Sequence, residues 1–382
     1  MPFDRRVWYE ATTLKKAGYE VAVICPVGKG YFETYEVLEG IHIYRHPLPP
    51  EARGALGYLR EYLVALFWEF RLARRVMRER DFDVVQICNP PDLLFLVAGW
   101  HKLLSGARVI FDHHDVNPEL YEEKFKKRGF LYRLLLLCER LSIRTADVVI
   151  STNDSYRNVA IKRGGKAPDD VFVVRSAPDL SKFHLIAGDE TLRRGRRCVV
   201  GYVGVMAEQD GVDTVIQVAR ELVQVRGRTD IGFMLIGGGS ELDSLVRLRN
   251  ELGLEDYVEF AGFRSGDDLL RHLSSCDIGI SPDPISRYND MCTMNKTLEY
   301  MALGLPVVQF NLTEGRASAA EASLYVARND PRDMADSIEL LADDASLRAQ
   351  LGSSGHERIK SQLSWEHQVP VLLDAYKRAL GE

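Results

Sequence analysis

The chain alternates short, continuous apolar runs with longer segments in which apolar residues recur every three or four positions. Such runs are typical of strands buried in a parallel sheet, and the longer period is typical of the helices that cover it. A long helix is expected near 54–80. In the first half of the chain, strands are predicted at 20–26, 83–90, 108–115, 147–154 and 171–178.

The pattern then stops in a polar segment without periodicity, residues 181–197, and starts again. The second half predicts helices near 211–226 and 240–252. It predicts strands at 198–204, 231–239, 257–263, 277–283 and 305–311. Two such series predict an α/β protein of two doubly wound, Rossmann-like domains with a ligand cleft between them.

We place the domain boundaries at 1–180 and 181–362. An amphipathic C-terminal helix, 363–382, is expected to pack back onto the first domain. The chain opens on a loop and a helix where such a domain usually opens on a strand, so the first strand is expected to be missing, through a misassigned start or a truncation. Asp4 is expected to cap that helix.

The amino-acid composition of the chain argues against several classes of function. The net charge of −6 and the lack of a broad basic region argue against nucleic acid as a partner. No apolar run reaches the roughly 18 to 20 residues that span a bilayer, and the charged N-terminus is unlike a signal peptide, so a cytoplasmic location is expected. The six cysteines form no CxxC pair, which favours reduced thiols over a structural zinc site.

Residues 291–306 are the most informative segment. A short helix is predicted from Asn295, with Gly304 at its end. Lys296 and Glu299 lie three residues apart and share a helix face. Lys296 and the first-turn amides would suit a diphosphate, and Glu299 the hydroxyls of a ribose. An ordinary surface Lys–Glu pair explains the same spacing.

At this point the sequence resembles glycosyltransferase family 4 (group 1), of the bacterial cell-surface polysaccharide type. The resemblance covers nearly the whole chain. It rests on the segments PFDRRVWYEATTLKKAGYEVAVICP, FDHHDVNPELYEE, ADVVISTND, GYVGVMAEQDGVD, LIGGGSELDSL, VEFAGFRSGDDLLRHLSSCDIGISPDP and MNKTLEYMALGLPVV. It implies the GT-B arrangement of two Rossmann-like domains.

The resemblance also implies a donor site. Glu299 matches the second glutamate of the family's paired motif, which holds the donor ribose. The first glutamate is replaced by Met291, with Asp290 beside it as a substitute. The usual arginine and lysine that bind the diphosphate are replaced by Val205 and Asp210. The other implied donor contacts are Gly204, Gly238, Phe263, Arg264, Thr293, Met294, Asn295, Lys296 and Leu298.

Two interpretations of these departures stay open. In one, Lys296 and the helix N-terminus bind the phosphates, and Arg264 reaches them as well. In the other, the site is degenerate and the protein binds a nucleotide-sugar without catalysis. A GT-B sugar-nucleotide epimerase is a further alternative.

In the first half, His114 matches the family histidine that contacts the transferred sugar or the reacting phosphate. Adjacent strand residues alternate, so His113 is expected to face the sheet, and the two histidines are poorly placed to share a metal ion. Arg5 and Arg6 follow Asp4, and the resemblance implies that they contact an acceptor or donor phosphate. No metal or other cofactor is expected.

The resemblance implies a retaining, metal-independent transfer from a nucleotide-diphosphate sugar, with UDP favoured, to a lipid-linked or cell-surface glycan. Two stretches that combine aromatic or apolar with basic residues, 53–80 and 124–144, predict peripheral contact with the inner face of the plasma membrane. Ordinary helices with one core face and one charged face have the same pattern. Among the aromatic residues of the first stretch are Tyr58, Tyr62, Phe67, Trp68 and Phe70.

Overall fold

The computed structural model describes residues 4–28, 30–48 and 54–382. Within the helix that begins at residue 54, the side chains of residues 54–59, 61 and 62 lie outside the description, among them Tyr58 and Tyr62. The chain forms two compact units. The first comprises Met1–Pro118, Lys127–Ser176 and Gln368–Glu382, and the second comprises Glu119–Lys126 and Ala177–His367.

Among its described residues, the first part of the chain holds seven strands in two sheets. The helices are α1 Arg5–Lys16, α2 Gly54–Glu79, α3 Phe95–Ser105, α4 Asn117–Phe125, α5 Phe130–Thr145 and α6 Asp154–Lys162. The strands are β1 Ala22–Pro26, β2 Tyr35–Leu38, β3 Ile41–His46, β4 Val84–Cys88, β5 Arg108–His113, β6 Val148–Ser151 and β7 Val171–Val173. One sheet has the order β1-β3-β2, and the other is a parallel sheet of order β4-β5-β6-β7.

The hairpin of β2 and β3 was not predicted. Its strands pair antiparallel and are joined by two residues with positive φ, Glu39 at 50° and Gly40 at 77°. Two positive φ angles are what a tight hairpin turn requires, and the first position usually holds Asn, Asp or Gly. Glutamate at that position hides the turn from a sequence pattern.

The second unit is a six-stranded parallel sheet with helices on both faces. Its strands are β8 Cys198–Val205, β9 Ile231–Gly238, β10 Val258–Gly262, β11 Ile278–Ser281, β12 Val307–Phe310 and β13 Ser323–Val326. Its helices are α7 Val212–Arg220, α8 Leu242–Glu251, α9 Gly266–Ser274, α10 Arg287–Met291, α11 Asn295–Ala302, α12 Thr313–Ala319, α13 Pro331–Asp343 and α14 Ala345–Arg358.

The strand order of this sheet is β10-β9-β8-β11-β12-β13. The chain therefore builds outward from β8 in one direction and then returns to build outward from β11 in the other. Parallel sheets of this kind bind ligands outside the carboxyl ends of the strands at such a reversal. The reversal between β8 and β11 is called the switch point below.

Helix α11 is fixed over the switch point by Tyr300. This side chain is fully buried, and its hydroxyl donates to the carbonyl of Ile280 at 3.1 Å and accepts from the amide of Val203 at 2.9 Å. Gly279 leaves room for the ring, because a Cβ there would lie 2.3 Å from it. The start of α11 is therefore held at the carboxyl ends of β8 and β11.

The last helix, α15 Trp365–Leu380, begins in the second unit and ends in the first. Within the first unit, Tyr376 donates to Gln86 Oε1 at 2.6 Å, and Arg378 forms an ion pair with Asp170 at 2.8 Å. In the part of the chain that the structure describes, no helix combines the length and apolar character that crossing a bilayer would need.

Candidate active site

Three consecutive glycines lie at the end of β9, at the carboxyl edge of the second sheet, and they have different roles. A Cβ at Gly237 would lie 1.9 Å from the carbonyl oxygen of Gly204, and one at Gly239 would lie 2.4 Å from that of Met206. Those two positions are glycine because backbones meet there. A Cβ at Gly238 would meet nothing within 4 Å. Gly238 therefore has open space around it, and its contact with a donor stays a prediction.

Helix α11 begins at Asn295 as predicted, with Met294 at its N-cap and no side-chain hydrogen bond at that cap. Asn295 is exposed, and Thr293, Met294 and Glu299 are half-buried. Glu299 thus lies one turn into the helix, where its carboxylate can meet a ligand at the carboxyl edge. The structure does not test the predicted contacts of these residues with a donor.

Leu298 differs from its neighbours on α11. Its side chain is fully buried in the apolar layer beneath the helix. The expectation that Leu298 contributes a donor contact is therefore wrong for its side chain, because the helix turns this position toward the core. Only its backbone lies near the predicted site.

Lys296 lies at the switch point, but its ammonium group already has a partner. Its Nζ lies 2.7 Å from Asp283 Oδ1 and 2.9 Å from Asp283 Oδ2, and both side chains are buried. Sequence reasoning missed Asp283. It follows β11 by two residues, and a polar residue at the carboxyl end of a parallel strand is the feature that could have identified it.

Two apolar side chains at the ends of β8 and β10 are exposed: Val205, which replaces the usual arginine, and the predicted donor contact Phe263. Val205 has 62% of its surface exposed and Phe263 has 71%. These are large fractions for apolar side chains and suit residues that contact a ligand. Arg264 is partly exposed and lies 3.5 Å from Asp268, so its guanidinium stays at the edge of the sheet.

Asp290, the suggested substitute for the missing glutamate, has hydrogen-bond partners in α12. Its carboxylate accepts hydrogen bonds from the amide of Thr313 at 2.8 Å and from the hydroxyl of Thr313 at 2.9 Å. It therefore binds the first residue of α12. These hydrogen bonds do not favour the suggestion that Asp290 substitutes for a glutamate at Met291, which stays a prediction.

In the first unit, His114 belongs to a buried cluster of charged groups at the end of β5. Its Nε2 lies 2.5 Å from Asp112 Oδ2 and 3.0 Å from Arg6 Nε, so the ring donates to the nearer carboxylate. Its backbone amide donates to Asn89 Oδ1 at 2.8 Å. Asp112 and His114 lie on one side of the chain because side chains alternate along an extended segment.

Arg6 anchors this cluster from α1. Its Nη2 lies 2.6 Å from Asp112 Oδ1 and its Nε lies 3.2 Å from Asp112 Oδ2, which makes the pair bidentate. It also donates to the carbonyl of Val174 at 2.7 Å and lies 3.2 Å from Glu10. Asp112 and Glu10, both buried, were not identified from the sequence.

The cluster sets the charge of its members. Burial alone would lower the pKa of His114, but the Asp112 carboxylate raises that pKa well above its usual value. Burial would raise the pKa of Asp112, but Arg6 and His114 hold it below its usual range. Burial and the charge of Asp112 raise the pKa of Glu10 to about 7. His114 is therefore an imidazolium at neutral pH.

The two arginines after Asp4 lie in different surroundings, because consecutive residues of a helix point in different directions. Asp4 caps α1, as predicted, by accepting from the amide of Val7 at 3.2 Å. Arg5 is exposed, whereas Arg6 is buried against Asp112. The guanidinium of Arg6 is already bound by a carboxylate, so the expected contact of Arg6 with an acceptor or donor phosphate is disfavoured and stays a prediction.

His113 faces the opposite side from His114, as the alternation predicts. It is fully buried, with its ring 5.2 Å from that of Phe111 and 5.1 Å from that of Tyr156. Burial, together with the charge of Arg163, lowers the pKa of His113 to about 3. This histidine is a neutral core residue.

His113 makes the fold sensitive to acid. Its pKa of about 3 in the folded chain lies below the value of about 6.5 expected after unfolding, so the unfolded chain binds a proton that the folded chain does not. Stability contributed by neutral His113 is therefore lost as the pH falls below about 6.5. Between pH 7.5 and pH 5, we expect the free energy of unfolding to fall by about 2 kcal/mol less in His113→Phe than in wild type. The measurement is urea unfolding at both pH values.

The matched control is His184→Phe, since His184 is exposed. It is expected to lose as much stability as wild type over the same pH range. An equal loss in His113→Phe and wild type would contradict the assignment of His113 as a buried neutral group.

Among the described residues, Cys88, Asp112 and His114 offer ligand atoms close enough together to bind a metal ion. They differ from the adjacent histidines considered in the sequence, because Asp112 takes the place of His113. Arg6 supplies a cation to Asp112. A bound metal would compete with that guanidinium, which disfavours a metal site here.

Comparison with known proteins identifies the family to which the chain belongs. The description "Glycosyl transferase 4-like domain" matches residues 4–176, and "Glycosyl transferases group 1" matches residues 197–344. The chain is 24% identical over 360 residues to the 2-deoxystreptamine glucosyltransferase of Streptomyces kanamyceticus, covering 90% of this chain and 89% of that protein. It is 26% identical over 279 residues to the capsular polysaccharide biosynthesis glycosyltransferase CapM of Staphylococcus aureus, covering 67% and 69%.

Solved structures show the same fold at low identity. Sucrose-phosphate synthase from Thermosynechococcus elongatus superposes with a TM-score of 0.79 at 17% identity, covering 98% of this chain and 93% of that one. HepE of Anabaena, solved with UDP and glucose, has a TM-score of 0.71 at 18% identity, covering 97% and 95%. These likenesses confirm the expected fold class, two Rossmann-like α/β domains of the GT-B type.

Proposed function

Since the chain belongs to the group 1 (family 4) glycosyltransferases and is an enzyme of the hexosyltransferase type, we propose that it transfers a sugar from UDP-sugar to a lipid-linked or cell-surface glycan. We further propose that the transfer retains the anomeric configuration and needs no metal ion. His114 acts in the first unit, and α11 with the edge of its sheet binds the donor.

The observation that carries this proposal is the position of Glu299. It lies half-buried one turn into α11, and α11 is fixed at the switch point by Tyr300. A carboxylate there accepts two hydrogen bonds from the vicinal hydroxyls of a ribose, as acidic residues do in other nucleotide-binding α/β proteins. Gly238, at the carboxyl end of β9 in the same sheet, has nothing within 4 Å of the position a Cβ would take.

The chemistry requires stabilisation of a departing diphosphate. The bond between the anomeric carbon and the diphosphate oxygen breaks, and the acceptor oxygen bonds to the same face of that carbon. The leaving phosphate takes the acceptor's proton, so no separate base is needed. Fixed cations stabilise the charge that develops. Lys296 at the switch point is the group we assign to that role, together with the N-terminus of α11 and Arg264 at the edge of the sheet.

Glu299→Ala tests the donor site. Loss of a charged hydrogen-bond acceptor is expected to weaken UDP binding at least tenfold, or about 1.4 kcal/mol. Titration calorimetry without added metal measures the dissociation constant. Glu251→Ala is the matched control, because Glu251 is exposed on α8 of the same unit, and its affinity for UDP is expected to equal that of wild type.

An unchanged affinity in Glu299→Ala would contradict the ribose assignment.

A thermal-shift comparison of UDP, GDP and ADP with the wild-type protein identifies the base, and UDP is expected to give the largest shift. Binding of UDP-sugar without turnover in the presence of glycan acceptors would favour the alternative, a degenerate nucleotide-sugar-binding protein. Val205 and Asp210, which replace the usual cations, motivate that alternative. UDP as the nucleotide is supported by HepE, which was solved with UDP and glucose.

The proposed acceptor is supported by a second relative, CapM, which acts in capsular polysaccharide biosynthesis. The first unit has a surface that suits membrane-bound acceptors. On α3 and α5, which pack against each other, eight large apolar side chains are exposed. They are Leu96, Trp100, Leu103, Leu104, Phe130, Leu131, Leu134 and Leu137. Exposed basic residues lie at the start of α5, namely Lys127, Arg128 and Arg133.

Apolar side chains bordered by cations fit an anionic lipid surface. We therefore propose peripheral contact of this face, in the cytoplasm, with the inner leaflet of the plasma membrane. Leu103→Glu with Leu104→Glu places two charges where the side chains are 86% and 57% exposed. The double variant is expected to bind phosphatidylglycerol vesicles at least tenfold more weakly than wild type, because each leucine loses about 1.5 to 3 kcal/mol of apolar burial.

Vesicle sedimentation measures this binding. Leu340→Glu is the matched control, since Leu340 is a half-exposed leucine on α13 of the second unit. It is expected to bind vesicles as wild type does. Equal binding by the double variant and the control would contradict the assignment of this face to the membrane.

A further inference from the structure

The buried pair of Lys296 and Asp283 has a geometry that a surface pair lacks. Both carboxylate oxygens lie within 2.9 Å of Lys296 Nζ, and only 9% of the lysine side chain and 1% of the aspartate side chain are exposed. Ser281 donates a hydrogen bond to Oδ2 of the aspartate. Asp283 is therefore held in place by its own strand end and holds the lysine in turn.

The surroundings leave the lysine little freedom to move away. The ring centroid of Tyr202 lies 5.2 Å from Lys296 Nζ. A Cβ at Gly204 would lie 3.3 Å from Lys296 Cε and 3.0 Å from the Tyr202 hydroxyl. The ammonium group is therefore placed where β8 ends, between an aromatic face and a carboxylate.

The charges around this ammonium group do not favour an anion. Asp210 lies near enough for its carboxylate to interact with both Lys296 and Asp283. Burial raises the pKa of Asp210, Lys296 lowers it and Asp283 raises it further. Its Oδ2 accepts from the amide of Ala207 at 3.0 Å. One ammonium group thus faces two carboxyl groups at the switch point.

We propose that Asp283 is a positioning residue that holds Lys296 at the switch point and offsets its charge, and so limits how tightly the diphosphate leaving group is retained. This inference rests on the proposed function, because it assumes that a nucleoside diphosphate binds at the switch point. A diphosphate must share the ammonium group with a carboxylate that already binds it through two oxygens. The leaving group is thereby stabilised during transfer and still released afterwards.

Asp283→Asn tests the inference, because asparagine keeps the size and removes the charge. UDP is expected to bind this variant at least fivefold more tightly than wild type, measured by titration calorimetry. Inhibition of turnover by added UDP is expected to strengthen by the same factor. Asp283→Glu restores the charge and is expected to return the affinity toward that of wild type.

Asp277→Asn is the matched control. Asp277 immediately precedes β11, at the opposite end of the strand, and forms an ion pair with Arg193 at 2.9 Å. Its removal changes the net charge of the protein equally, but far from the carboxyl edge. UDP affinity is expected to stay within twofold of wild type. Equal tightening in both variants would mean that net charge alone is responsible and would overturn the inference.

A folded Asp283→Asn variant with unchanged or weaker UDP affinity would also overturn it, since the carboxylate would then have a structural role alone. If that variant does not fold, the wild-type protein still provides a test. An offset charge predicts that UDP binds less than about thirtyfold more tightly than UMP, and a larger gain overturns the inference.

If UDP, GDP and ADP all fail to bind wild type while it is folded, the proposed function fails together with this inference. Wild-type binding of UDP with no change in the variant refutes the inference alone.

Discussion

Arg6→Met is expected to lower the free energy of unfolding by about 3 to 5 kcal/mol. Arg6 holds Asp112 with two hydrogen bonds, and both side chains are almost completely buried. Methionine fills much of the same space but leaves the Asp112 carboxylate buried without its guanidinium partner. The loss of that partner, more than the loss of contacts, sets the size of the effect. Urea unfolding at neutral pH measures it.

Arg5→Met is the matched control, because Arg5 is the neighbouring residue on α1 and is exposed. Its effect on stability is expected to stay within about 0.5 kcal/mol. The pair of variants distinguishes a structural arginine from one that contacts a phosphate. If Arg6→Met is as stable as wild type and binds phosphate-bearing ligands more weakly, the buried pair has little structural importance and the phosphate contact predicted from the sequence is supported.

Asp112→Asn is expected to reduce turnover more strongly at pH 8 than at pH 6. The Asp112 carboxylate raises the pKa of His114 and keeps the ring charged at neutral pH, whereas burial acts in the opposite direction. Without the carboxylate, the pKa of His114 is expected to fall, and a smaller fraction of molecules then carries the imidazolium at pH 8. The alkaline limb of the pH–rate profile therefore moves to lower pH.

Release of UDP from the UDP-sugar, followed between pH 5.5 and 9.5, measures the profile. Glu10 is the other group in the cluster that titrates near neutrality, with its pKa raised to about 7 by burial and by Asp112. Glu10→Gln is therefore the control, and it is expected to keep the wild-type alkaline limb. If Glu10→Gln moves the limb and Asp112→Asn does not, Glu10 controls the profile and the role given to His114 is wrong.

Local chemistry explains why parts of the site could be predicted. The N-cap at Asp4, the start of α11 at Asn295 and the alternation of His113 and His114 all depend on residues within one turn or one strand of each other. Leu298 also follows from helical spacing, but its burial was overlooked because the resemblance placed the whole segment at the donor. For the same reason Asp290 was considered a substitute, although it binds Thr313 in α12, 23 residues further along the chain.

The charged partners could not be predicted, because they come from distant parts of the chain. Asp112 lies 106 residues from Arg6, and Asp283 lies 13 residues from Lys296 across the loop that follows β11. A sequence pattern shows that arginine and lysine are present but not whether a buried carboxylate already neutralises them. Two of the cations assigned to phosphates were therefore found with partners.

The sequence by itself determined the α/β class, most of the parallel strands along the chain although not β3 or β13, the family and the position of α11 after β11. Hydrophobic periodicity and capping are local properties, and they persist in the unfolded chain as preferences. Only the tertiary structure decided the strand order that creates the switch point, the separation of the first unit into two sheets, and the pairing of Arg6 and Lys296 with buried carboxylates. These features depend on which distant residues exclude water together, and burial is what turns a nearby carboxylate into a strong partner.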